Sequence, residues 1–289
     1  MPVAFPIPSP FLDIKVHHVH RSPSLCGLCV GYERGAWRNA QFVDHIVEWL
    51  PEFALSPEEC QSLNHANALP FIRRAAKTIY ESKKFENRGE FGELFLHAIV
   101  RQVHKSLPAI SKIFYKSAIN DTVKGFDAVH VVGPPDDMEL WLGEAKFYDD
   151  AARAIRDVIA EIDVHLGTDY LRSEFLLLKG KIDDAWPHAD ALKTLLSPNT
   201  SLDEVFKRAC IPVLLTYDSD CIAGHNEVSA EYIAAFSQEV DKHYLSFAEK
   251  LAEKKLPANI RVHLFLLPLH TKKVLIEALD SKLKAWQQV

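Results

Sequence analysis

The spacing of apolar and polar positions predicts an α/β protein. Apolar residues recur at helical intervals over residues 39–50, 87–104, 149–165, 229–255 and 272–286. Short runs rich in β-branched and aromatic residues predict strands over 11–19, 25–32, 110–117, 126–132, 139–147, 211–217 and 260–267. The run at 211–217 is mostly apolar, which is typical of a strand covered on both faces. We therefore expect a mixed central sheet flanked by helices.

Two of the predicted strands form a hairpin that carries three candidate site residues. Residues 133–137, Gly-Pro-Pro-Asp-Asp, are a strong turn signal between strands 126–132 and 139–147. Asp127 and Glu144 are almost equally far from the centre of this turn. Antiparallel pairing therefore places them nearly opposite each other, with Cβ atoms roughly 5 Å apart.

The second strand of the hairpin contains the triplet Glu144-Ala145-Lys146. The chain has five triplets of the form Asp/Glu-x-Lys, so the spacing alone is uninformative. This triplet differs from the others because it follows a strand that bears an acid. Side chains alternate along a strand, so Glu144 and Lys146 share one face, and Ala145 points to the other.

Two facing carboxylates beside an ammonium group favour a metal-dependent site. Carboxylate oxygens are the ligands that magnesium and manganese prefer, and such an ion neutralises the repulsion between Asp127 and Glu144. A nearby lysine can position a water or stabilise charge on a phosphate, which suits phosphodiester hydrolysis. From the hairpin alone, an exposed cross-strand salt-bridge cluster explains the same residues equally well.

The helix predicted at 87–104 begins with two glycines and two acids. Glycine lowers helix stability, so we expect a close approach of the backbone to another element. Glu93 could reach the carboxylate pair as a further metal ligand. Glu90 is better explained as an acid that interacts favourably with the helix dipole.

Composition and charge narrow the class of protein. The chain has 289 residues, 48% of them hydrophobic and 25% charged, and no apolar run is long enough to cross a bilayer. The N-terminus lacks a signal peptide, so we expect a cytoplasmic protein with no membrane partner.

With 33 basic and 39 acidic residues the net charge is −6, which is unusual for an independent DNA-binding protein. Two segments, 97–124 and 242–284, are locally basic and could hold phosphate; the second is explained equally well as a solvated helix face. There is no P-loop for ATP.

The order of these residues resembles the core of the PD-(D/E)xK nuclease superfamily. In that superfamily a helix glutamate precedes a hairpin that bears the aspartate and the E-x-K. The strings RGEFGELFLHAIV, KGFDAVHVV and WLGEAKFY, which span residues 88–148, resemble the HamA nuclease family of Hachiman anti-phage defence systems. The resemblance implies that Asp127, Glu144 and Glu93 bind Mg²⁺ (or Mn²⁺) and that Lys146 assists attack by water. Phe126 stands where the superfamily usually has proline, which makes this position less specific.

The resemblance also implies a partner and a division of the chain. Residues 86–289 would form the nuclease core, and residues 1–85 would either dock a partner or cap the sheet. The family implies DNA as substrate and a superfamily 2 (HamB-like) helicase subunit that restrains the nuclease. The alternative is a non-catalytic docking or nucleic-acid-binding subunit with a degenerate nuclease fold.

Overall fold

The computed structural model describes residues 7–80, 89–111, 125–184 and 186–288. The described strands are β1 (Asp13–His18), β2 (Ser24–Cys29), β3 (Tyr32–Glu33), β4 (Ala36–Trp37), β5 (Leu107–Ser111), β6 (Ala128–Val132), β7 (Glu139–Phe147), β8 (Ala209–Asp218) and β9 (Arg261–Leu269). Seven of them form one sheet in the order β1-β2-β9-β8-β7-β6-β5, and β3 and β4 form a separate ribbon.

The large sheet is mixed, as predicted. Its central strands β2, β9, β8 and β7 run parallel to one another. Antiparallel strands complete it on both sides, β1 beside β2 and the β6–β5 pair beside β7. The predicted strand at 110–117 corresponds to β5 only at its start, and residues 112–117 lie outside the described residues.

Helices cover both faces of the sheet. The described helices are α1 (Asn39–Glu48), α2 (Leu50–Ala54), α3 (Pro57–Ser62), α4 (Ala68–Tyr80), α5 (Gly89–His104), α6 (Ala151–His165), α7 (Thr168–Lys179), α8 (Ala189–Leu195), α9 (Leu202–Arg208), α10 (Asp220–Gly224), α11 (Ala230–Ala252) and α12 (Lys272–Gln287). One apolar cluster contains residues of α1, α2, α4, α5 and α12, and the other contains residues of α6 to α11. Among the described helices, none combines the length and hydropathy that a membrane span requires.

The sheet separates the two clusters because its side chains alternate. In β8, Val213 and Leu215 belong to the cluster with α6, whereas Cys210 and Leu214 belong to the cluster with α5. Both faces of this strand are buried, which explains its nearly continuous apolar sequence.

Residues 7–80 share the core of the remaining chain. Strand β2 pairs in parallel with β9, and α1 and α4 pack in the same apolar cluster as α5 and α12. The described parts of the two predicted domains therefore contribute to one sheet, and a docking role for residues 1–85 stays a prediction. The sequence patterns did not predict α4, in which Pro70 lies in the first turn, where proline is tolerated.

Helix α5 approaches β7 closely at one of its glycines. A Cβ atom on Gly92 would lie 3.0 Å from Cβ of Phe147 and 3.5 Å from Cβ of Ala145. This confirms the expected close approach for Gly92. Gly89 has no described atom within 4 Å of a Cβ position, so packing does not explain the second glycine.

Candidate functional site

The β6–β7 hairpin places Asp127 opposite Glu144. Ala128 pairs with Gly143 across the two strands, so the residues one step further out face each other. The backbone N–H of Asp127 donates to the carbonyl of Gly143 at 2.8 Å. In return, Asp127 Oδ2 accepts a hydrogen bond of 2.9 Å from the N–H of Ala145. The predicted register is thus confirmed.

Glu144 and Lys146 lie on the face of β7 opposite to α5. Ala145 and Phe147 contact Gly92 of α5, and side chains alternate along the strand. Only 1% of Glu144 and 8% of Lys146 is exposed. Neither residue is exposed, and a buried carboxylate and a buried ammonium need compensating partners.

Helix α6 supplies those partners. His165 Nδ1 lies 2.5 Å from Glu144 Oε1. Because an ionised carboxylate can only accept, Nδ1 is then the donor. Glu161, one turn earlier on α6, forms an ion pair with Nζ of Lys146. The sequence analysis missed both residues, since a glutamate and a histidine four apart on an amphipathic helix are common solvent-facing residues.

Helix α7 and the segment before β6 enclose the imidazole of His165. Tyr170 stacks on His165 with ring centres 4.5 Å apart and planes inclined by 14°. Phe126 meets the same imidazole edge-on at 5.3 Å. Glu174, one turn after Tyr170, lies against Gly125. Aromatic rings thus hold His165 in its orientation toward Glu144.

Burial and neighbouring charges alter the protonation of these groups. Burial raises the pKa of Glu144 above its usual range; the hydrogen bond from His165 opposes the shift, and the negative charge of Asp127 adds to it. Burial alone would lower the pKa of His165, but the hydrogen bond and charge of Glu144 raise it overall. Burial alone would likewise lower the pKa of Lys146, but Glu161 raises it overall. Lys146 is therefore an ammonium at neutral pH.

The donor set fits a hard cation such as Mg²⁺ or Mn²⁺ better than a metal that prefers thiolate or imidazole ligands, because both donors are carboxylates. Asp127 and Glu144 provide two carboxylates that face each other, and the negative charge of Asp127 raises the pKa of Glu144. Within the part of the chain that the structure describes, no three His, Cys, Asp or Glu side chains converge as a complete metal-binding group. Mg²⁺ does not require such a group, because it commonly uses one or two carboxylates and completes its shell with water and substrate phosphate.

The structure places Glu93 on the other side of the sheet from Glu144. Its neighbours Gly92 and Leu96 on α5 approach β7 at Phe147 and at Gly143. A metal-binding role for Glu93 would require its carboxylate to reach the cluster from that side. The assignment of Glu93 as a ligand stays a prediction.

One basic residue of the segment 97–124, for which phosphate binding was considered, is buried inside the protein. Arg101 is buried, and it donates to both carboxylate oxygens of Glu52 at 2.9 and 2.8 Å. It is not available to a nucleic acid, and Lys112, Lys116 and Lys124 lie outside the described residues. In the second basic segment, Lys254 follows α11 and forms an ion pair with Asp163 of α6, and Lys282 of α12 forms one with Asp44 of α1.

Comparison with known proteins identifies the family. The chain is 24% identical over 264 residues to Anti-bacteriophage protein A of Escherichia coli (strain K12), covering 88% of this chain and 46% of that protein. The chain thus spans about half the length of the curated relative it matches. No solved structure shows significant similarity to it. The family model for HamA matches residues 6–283, and the chain therefore belongs to the HamA family.

Proposed function

We propose that this chain is a metal-dependent DNA nuclease that acts in anti-phage defence. The observation that carries the proposal is the convergence of Asp127, Glu144 and Lys146 on one face of the β6–β7 hairpin. Membership of the HamA family and similarity to an anti-bacteriophage protein support the defence role.

The chemistry assigns separate tasks to the three side chains. Asp127 and Glu144 would hold Mg²⁺ or Mn²⁺. Such an ion, when bound, polarises the phosphodiester and lowers the pKa of a coordinated water. Lys146 remains protonated, because Glu161 and the two other acids stabilise its charge. It therefore acts as a hydrogen-bond donor that orients water or offsets charge on the scissile phosphate, and it is not the general base.

The open side of the cluster is its edge at Asp127 and Glu161. Asp127 is half-buried and the side chain of Glu161 is 43% exposed, whereas Glu144 is almost fully enclosed. A phosphate that enters from this edge meets Asp127 before it meets Glu144. The cleaved strand would thus approach along the rim of the hairpin.

Plasmid cleavage tests the proposal directly. The purified chain is incubated with supercoiled plasmid in Mg²⁺, Mn²⁺ or EDTA, alone and with its helicase partner and ATP. We expect divalent-ion-dependent cleavage by the wild type, and a loss of at least 100-fold in Glu144→Ala and Lys146→Ala, in line with the size of a single electrostatic contribution to catalysis.

Matched variants separate catalysis from folding. Glu139→Ala changes an acid of the same strand that pairs with Arg261, and Lys254→Ala removes a lysine that pairs with Asp163. Both controls should cleave at the wild-type rate. Cleavage by Glu144→Ala at the wild-type rate would contradict the proposal. So would the absence of metal-dependent cleavage in both the isolated chain and the complex.

A non-catalytic docking subunit is the second candidate. The specific observation in its favour is that Glu144 and Lys146 already have internal partners, His165 and Glu161. In that case the two alanine variants would lose thermal stability and complex formation, and the wild type would not cleave DNA.

We further propose that a superfamily 2 helicase binds this chain and restrains it. The support is the net charge of −6 and the lack of a nucleotide-binding loop in a chain of the HamA family. Co-expression should yield a complex on gel filtration whose cleavage is low until ATP and DNA are added. Separate elution at micromolar concentration would reject the partnership, and full cleavage without ATP would reject the restraint.

A further inference from the structure

We infer that α6 contributes two positioning residues to the site, His165 for Glu144 and Glu161 for Lys146. The inference rests on the proposed metal-dependent cleavage and extends it to residues outside the hairpin. Both contacts join elements that are far apart in sequence, 21 residues for His165 and 15 for Glu161.

The geometry of α6 and β7 explains why the two contacts occur together. Glu144 and Lys146 are separated by two residues on a strand, roughly 6.6 Å. His165 and Glu161 are separated by four residues on a helix, roughly 6 Å along its axis. The two spacings match, and the helix runs antiparallel to the strand. His165 therefore faces Glu144, and Glu161 faces Lys146.

A third contact continues the same series. Tyr148, the next residue on this side after Lys146, interacts with Asp157, one turn before Glu161. The pairs 144–165, 146–161 and 148–157 thus advance by two on the strand and by four on the helix. The third pair lies outside the group of Asp127, Glu144 and Lys146, and it provides an internal control for the first two.

Two aromatic contacts fix the position of the His165 side chain beside Glu144. Tyr170 stacks on one side of its imidazole and Phe126 meets it edge-on. With Oε1 engaged by Nδ1, the carboxylate of Glu144 cannot rotate freely about its terminal bond. A carboxylate that must bind a cation in one orientation benefits from such a contact, since groups that orient metal ligands commonly change metal affinity 10- to 100-fold.

Glu161 performs the corresponding task for Lys146. A lysine side chain has four rotatable bonds, and this one is buried. The ion pair with Glu161 directs the ammonium to the open edge of the cluster, because Glu161 is the exposed member of the pair. Loss of the pair should therefore impair turnover more than metal binding.

The test compares His165→Phe, His165→Asn and Glu161→Gln with the control Asp157→Asn. Phenylalanine keeps the stack on Tyr170 and removes the donor, whereas asparagine retains a donor close to the position of Nδ1. Calorimetric titration with Mn²⁺ in the absence of DNA gives metal affinity, and single-turnover cleavage at saturating Mg²⁺ gives the rate. Thermal unfolding monitors the fold.

We expect His165→Phe to weaken Mn²⁺ binding about 10- to 100-fold and His165→Asn to retain most of the affinity. Glu161→Gln should bind Mn²⁺ like the wild type and cleave about tenfold more slowly. Asp157→Asn should match the wild type in both measurements. Unchanged Mn²⁺ affinity and rate in His165→Phe and Glu161→Gln would overturn the inference.

A further pair of variants covers the case in which His165→Phe does not fold. Asparagine and glutamine are similar in polarity, but glutamine places its amide near the position of Nε2 rather than Nδ1. Equal Mn²⁺ affinities of His165→Asn and His165→Gln would overturn the positioning role. A wild type that neither binds Mn²⁺ nor cleaves DNA would instead overturn the proposed function, whereas an active wild type with unchanged variants overturns this inference alone.

Discussion

The carboxylate of Glu174 on α7 occupies the space where a side chain at Gly125 would begin. A Cβ atom on Gly125 would lie 3.0 Å from Cδ of Glu174 and closer still to one of its oxygens. Gly125 also has a φ of +150°, a conformation that other residues adopt only with strain. Asp127 is two residues further along the chain, so this contact fixes the start of β6 against α7.

Gly125→Ala should therefore damage the site as well as the fold. Strain of this kind costs about 1–3 kcal/mol, and the added methyl group must displace either Glu174 or the segment that leads to Asp127. We expect a lower free energy of unfolding in urea and reduced plasmid cleavage. Gly224→Ala is the control, because a Cβ atom there meets no described atom within 4 Å. Wild-type stability and activity in Gly125→Ala would show that the segment adjusts without cost.

Asp127→Asn should remove activity while it preserves the fold. Asparagine retains an oxygen that can accept the N–H of Ala145, and it removes a negative charge that raises the pKa of Glu144. We expect no Mn²⁺ binding by calorimetry, no cleavage, and a melting temperature equal to or slightly above that of the wild type. Asp136→Asn, in the exposed hairpin turn, should leave all three unchanged. Equal Mn²⁺ binding by Asp127→Asn and wild type would place the ion elsewhere.

The buried ion-pair network of Glu52 should make the fold sensitive to acid. Burial alone would raise the pKa of Glu52, but hydrogen bonds and charges from His97 and Arg101 lower it from 4.5 to about 2. A lowered pKa stabilises the folded state above pH 4.5 and loses that contribution as pH falls toward 2. The shift corresponds to roughly 3 kcal/mol.

Urea unfolding of Glu52→Gln at several pH values tests this contribution. At pH 7 the variant should be less stable by about 3–5 kcal/mol, because Arg101 remains buried without its counter-charge. Its stability should then change less than that of the wild type between pH 4.5 and 2. The exposed Glu58→Gln should follow the wild-type curve. Parallel curves for Glu52→Gln and wild type would contradict the predicted role of the network.

Gly143 and Leu96 should be energetically coupled across the interface of β7 and α5. A Cβ atom on Gly143 would lie 2.7 Å from Cδ2 of Leu96 and 3.1 Å from Cβ of Ala128. Gly143→Ala should cost about 1–3 kcal/mol through overpacking, and Leu96→Ala about 2–5 kcal/mol through a cavity. In the double variant the new methyl group occupies space that Leu96 leaves, so the loss should be smaller than the sum by more than about 0.5 kcal/mol. Additive losses in urea unfolding would show that α5 moves away instead.

The sequence by itself determined the elements that depend on local pattern. Helical spacing located α1, α5, α6, α11 and α12, and the strand patterns located every strand of the large sheet except β5 within a few residues. The position of the turn determined the register of the β6–β7 hairpin, because a tight connection leaves little freedom in pairing. The sequence could also predict the arrangement of Asp127, Glu144 and Lys146, because the hairpin and the alternation of its side chains define that arrangement locally.

Only the tertiary structure decided which distant groups meet. Strand β2 pairs with β9, more than 230 residues later, and no local pattern specifies that partner. Arg101 belongs to a basic segment of the sequence but is buried with Glu52, because the packing of α2 against α5 brings them together. His165 reaches Glu144, and Glu161 reaches Lys146, because α6 folds back antiparallel to β7. The periodicity of a helix shows which of its residues share a face, whereas packing against the sheet determines what that face meets.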